Sequence, residues 1–95
     1  MRRYAELVRR QLDVRSIILY GSYSRGTPHE YSDIDVAVIV DRLDDDWLST
    51  AAMLYKLTRD ISPDIEPVLL QPEHDRSGFL KHVMETGEVI YSRGA

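Results

Sequence analysis

Ten residues separate the pair Gly21-Ser22 from Asp33, and Asp35 follows two positions later. An apolar run enters the Gly-Ser turn, and the two aspartates open the next apolar run. On a strand, positions two apart point to one face, so Asp33 and Asp35 present their carboxylates together, about 7 Å apart at the backbone. Such a pair suits Mg²⁺, or Mn²⁺ in its place, shared between carboxylates and the phosphates of a nucleotide. Gly21 has no Cβ to keep phosphate oxygens away from main-chain N–H groups. Ser22 can open a short helix as its N-cap, adding a hydroxyl and the positive end of a dipole. Ser24 and Arg25 stand near enough in sequence to share phosphate charge. Glu66 completes a three-carboxylate cluster if its strand lies beside that of Asp35. There it could ligand a second metal or accept the proton of an attacking hydroxyl.

Each of these side chains depends on an element to place it. Tyr4, Leu7, Val8 and Leu12 recur at helical spacing and predict an opening amphipathic helix. Arg9, Arg10 and Arg15 fall in or beyond its last turns, where cations suit the dipole. Residues 16–20 form a short β-rich run, 22–26 a brief helix, and 27–32 a loop broken by Pro28. Residues 34–40 give the strongest strand, apolar on both sides, as for a central strand covered twice. Ile34, Val36, Val38 and Val40 line one face, and Asp35, Ala37 and Ile39 the other. A helical period over 45–59 puts Trp47 or Leu48, Ala51, Leu54, Tyr55 and Thr58 on one side. Residues 65–70 form a third strand, demoted to an edge by Pro67. A last helix over 73–85 turns Phe79, Leu80, Val83 and Met84 inward and is ended by Gly87. Val89-Ile90-Tyr91 is an apolar tail that packs or adds a strand fragment.

The predicted class is therefore α/β, in α-β-α-β-α-β-α order. A parallel crossover spans 34–70, and the first two strands pair antiparallel in a small mixed sheet. Asp41, Asp44, Asp45 and Asp46 read as charges at a helix start rather than a second acidic site. Tyr20 and Tyr55 read as core or rim aromatics.

Ninety-five residues, 43% of them hydrophobic, suffice for one domain over 1–95. The absence of cysteine excludes disulfides and zinc-thiolate sites. A net charge of -4 argues against general nucleic-acid binding, which draws its affinity from neutralising phosphates. No apolar stretch reaches membrane-spanning length and the opening is amphipathic, so a cytoplasmic location is expected.

Gly21-Ser22, ten residues, then Asp33-x-Asp35 resembles the DNA polymerase β-like nucleotidyltransferase superfamily, with its palm-like fold. The size and the Gly-Ser-Tyr-Ser-Arg-Gly form are similar to its stand-alone minimal nucleotidyltransferases, the MNT domains of the MntA-like antitoxin type. The resemblance implies that Gly21 and Ser22 hold nucleotide phosphates and that Asp33 and Asp35 coordinate Mg²⁺. The family's third carboxylate falls on Glu66, with Asp64 as the alternative. It also implies transfer of a nucleoside monophosphate, AMP from ATP, to an acceptor hydroxyl. A HEPN-domain toxin is the implied partner, and oligomerisation is left open. The competing reading is a catalytically weak antitoxin that acts by complex formation, for which Asp33-x-Asp35 would be unnecessary.

Overall fold

The computed structural model describes residues 2–20, 34–43, 46–62, 64–74 and 78–93. Among these, β1 (Ser16–Tyr20), β2 (Ile34–Ile39), β3 (Ile65–Leu70) and β4 (Glu88–Ser92) make one sheet in the order β3-β2-β1-β4. Three α-helices accompany it, α1 (Arg2–Gln11), α2 (Trp47–Thr58) and α3 (Phe79–Thr86), with a 3-10 turn at Pro72–His74. β1 pairs antiparallel with β2 and with β4, while β2 and β3 run parallel on either side of α2. The mixed α/β class and the parallel crossover agree with the sequence pattern. Pro67, which has no N–H to give a ladder, stands in an edge strand as expected.

β2 is apolar throughout its centre because both its faces are covered. On one face Ile17, Val36, Val38, Ile65 and Leu69 pack beneath Tyr4, Ala5 and Val8 of α1 and Leu54 of α2. The Tyr4 hydroxyl donates to the Leu54 carbonyl at 2.9 Å, tying the two helices together, and burial pushes its phenol well above the usual range. On the other face Ile18, Ala37 and Ile39 meet Leu80 and Val83 of α3. No helix among the described residues is long and apolar enough to cross a membrane.

Four details correct the sequence reading. α2 buries Thr50 beside the expected Leu54 and Thr58, whereas Trp47, Leu48 and Tyr55 are exposed. The threonines can enter the core because each hydroxyl donates to a carbonyl of its own helix turn, Asp46 at 2.9 Å and Tyr55 at 2.7 Å. The last helix begins at Phe79, not 73, and leaves Met84 exposed. The apolar tail is a full strand, β4, which makes β1 internal to the sheet. Within the acidic run, Asp46 caps α2 as expected, accepting from the Ser49 N–H at 3.4 Å, and Asp44 and Asp45 lie outside the described residues. Asp41 instead pairs with Arg15 at 3.3 Å and with Arg93, which also reaches Asp13 at 3.2 Å. The brief helix expected over 22–26 lies outside the described residues.

Gly87 ends α3 as anticipated, its N–H donating to the Val83 carbonyl at 2.8 Å. Close approach makes it glycine. A Cβ there would lie 2.7 Å from the Val83 carbonyl oxygen, 2.9 Å from that of Leu19, and against the Ile18 side chain. Gly87→Ala is therefore expected to lower stability by about 2 kcal/mol through overpacking, measured by urea denaturation. A stability equal to wild type would show that β4 can shift freely from β1.

Candidate active site

One lateral row of the sheet carries the polar groups. In the β2–β3 ladder Asp35 stands opposite Glu66, and in the β1–β2 ladder Tyr20 stands opposite Asp35. Side chains alternate along a strand, so these three share the face that carries Ile18, Ala37 and Ile39. Neighbouring strands lie about 4.8 Å apart, which brings the two carboxylates side by side. α3 covers the β1 part of this face and Ile39. At the Asp35 end of the row, Glu66 is exposed and Asp35 half-buried.

The geometry thus satisfies the condition set by the sequence for Glu66: its strand does lie beside that of Asp35, in register. Asp64 sits in the turn before β3, exposed, with its carbonyl accepting from the Ile34 N–H at 2.8 Å. Asp33, Gly21, Ser22 and Arg25 lie outside the described residues. They belong to the segment that joins Tyr20 to Ile34, the two strand ends at this edge of the row. Among the described residues no three His, Asp or Glu side chains gather in a metal-binding group.

Sequence reasoning placed Tyr20 in the core or at its rim and gave it no role in the site. Its ring does pack, edge to face on Phe79 at 5.6 Å and 81°. Its phenol is also pushed up to about 12, by burial first, then by the negative fields of Asp35 and Glu66 and by Tyr55. It is therefore a neutral hydroxyl beside two carboxylates. The available signal was register: an antiparallel pairing that places Asp35 opposite the end of β1 brings Tyr20 to it.

The donor chemistry fits a divalent cation of the Mg²⁺ class. Two hard oxygen donors stand adjacent on one face, and a third, Asp33, is one residue from β2 in sequence. One groove among the described residues, about 440 Å³, lies elsewhere, between Arg9, Arg10, Asp13 and Tyr91 at the far end of β1. Arg9 lies 4.1 Å over the Tyr91 ring there.

Residues 3–95 match the family model described as polymerase beta, nucleotidyltransferase. The chain belongs to the polymerase beta nucleotidyltransferase family. Two relatives from Methanocaldococcus jannaschii carry the name of candidate protein adenylyltransferases. One, MJ1305, is 40% identical over 68 residues, covering 63% of this chain and 44% of its own length. The other, MJ0604, is 34% identical over 80 residues, covering 82% of this chain and 79% of its own. This nucleotidyltransferase chain thus spans less than half of the first relative. Among solved structures, a toxin-antitoxin crystallised with AMP-PNP superposes with a TM-score of 0.72 at 25% identity, over 97% of this chain and 73% of that one.

Proposed function

We propose that this nucleotidyltransferase moves AMP from ATP to a hydroxyl on a protein partner, of the helical HEPN toxin type, with Mg²⁺ as cofactor. The observation that carries the reading is the registered pair Asp35 and Glu66 on one face of the sheet, in a chain of this family. The relatives named as protein adenylyltransferases support AMP transfer to protein, and the toxin-antitoxin neighbour supports a toxin partner.

In this reading Asp33 and Asp35 hold the cation, with Glu66 alongside, and Gly21, Ser22 and Arg25 take the triphosphate. Bound there, Mg²⁺ would offset phosphate charge and align the reacting groups. The acceptor oxygen attacks the α-phosphorus, the bond to the β-phosphate oxygen breaks, and pyrophosphate leaves. Glu66, exposed beside Asp35, is the group assigned to accept the hydroxyl proton. In this reading the partner positions the nucleophile for in-line attack, as a bound complex can.

The purified chain is expected to turn over labelled ATP slowly alone. A HEPN-type protein encoded beside it should gain an AMP mass increment on Tyr, Ser or Thr, read by mass spectrometry. Label on a small molecule or on a nucleic-acid end would rule out the protein acceptor while retaining the transferase. Tight complex formation without any label would favour an antitoxin acting by binding alone.

A further inference from the structure

We infer that the Tyr20 hydroxyl donates a hydrogen bond to the phosphate chain of a nucleotide held over Asp35 and Glu66; this rests on the transferase reading above. The ladder places Tyr20 beside Asp35 and Asp35 beside Glu66, on one face and at one end of the sheet. The three groups are chemically unequal. Ionised carboxylates only accept hydrogen bonds, and so do fully ionised phosphate oxygens, so of this row only the phenol can donate to a phosphate. Tyr20 also immediately precedes Gly21, the residue assigned to the phosphates.

The ring is held in place from behind. Phe79 meets it edge to face, and Leu70 and the Ile18, Ala37 and Ile39 cluster lie on the same face. A tyrosine required only for this packing would need no hydroxyl, since phenylalanine fills the same space. The contrast with Tyr4 is informative. There the hydroxyl is fully buried and satisfied by the Leu54 carbonyl. Tyr20 is half-buried, and among the described residues its hydroxyl makes no such bond. A half-buried donor next to two carboxylates answers the need of an anionic ligand drawn in by a cation, because each phosphate oxygen not on the cation needs a donor.

Tyr20→Phe tests this with a readout separate from turnover. Calorimetry would follow Mn²⁺ alone and then a non-hydrolysable ATP analogue with Mn²⁺, alongside thermal melts. The expected result is unchanged Mn²⁺ affinity, a melting temperature within about 2 °C of wild type, and analogue affinity weakened about five- to tenfold. Equal analogue affinity in the two proteins overturns the inference and leaves the transferase reading standing. A melting temperature many degrees lower, or weakened Mn²⁺ binding, assigns Tyr20 to packing or to the carboxylates and also overturns it. A wild type that binds no analogue overturns both.

Discussion

Asp35→Asn is expected to cut nucleotidyl transfer by about a hundred- to a thousandfold or more while leaving the melting temperature unchanged or higher. The two effects separate because of where Asp35 stands. It faces Glu66 directly across the ladder, and like charges directly opposite one another destabilise a sheet. Asparagine keeps the shape and the acceptor oxygen, removes one negative charge, and leaves the apolar residues on either side undisturbed. A functional group set against its own fold behaves in this way, with stability gained where activity is lost. The check is a label-transfer assay run beside a thermal melt without divalent cation. A melting temperature many degrees below wild type would make Asp35 a structural residue and remove it from the proposed mechanism.

Val38→Asp should do the reverse and unfold the chain. Val38 lies three residues along the same strand, fully buried, between Ile17 on β1 and Leu69 on β3. It points to the face closed by α1 and α2, where Tyr4, Val8 and Leu54 leave no solvent. An ionised carboxylate there costs several kcal/mol and has no cation beside it. A chain of this size is held by roughly 5–10 kcal/mol in all, so the folded population should be lost. Far-UV circular dichroism should show no cooperative transition. A normal transition would mean that β2 can change register, and with it the pairing of Asp35 with Glu66.

Much of this frame was legible in the residues. The unbroken apolar run of β2 announced a strand covered on both sides, and Pro67 announced the edge. Gly87 announced the end of the last helix, although the reason for it, close approach to β1, needed the fold. Period failed where polarity misled. Leu54 and Thr58 point inward as read, but Thr50 also buries by returning its hydroxyl to the helix, so the inward face of α2 was displaced towards Tyr55 in the sequence reading. β4 was harder to read because its residues are exposed or only part-buried and show no inside-outside alternation. Within the site, spacing brought out the carboxylates, since two acids opening an apolar run are unusual. Tyr20 carried no such signal, because an aromatic ending a strand is ordinary until the register places it against Asp35.

The central claim is that the Asp35–Glu66 face holds a divalent cation together with a nucleotide. Calorimetric titration of Mn²⁺, with and without a non-hydrolysable ATP analogue, into wild type and into Asp35→Asn tests it most directly. Saturable binding that tightens with nucleotide in the wild type, and is lost in the variant, is the predicted result. Equal Mn²⁺ affinity in the two proteins would contradict it.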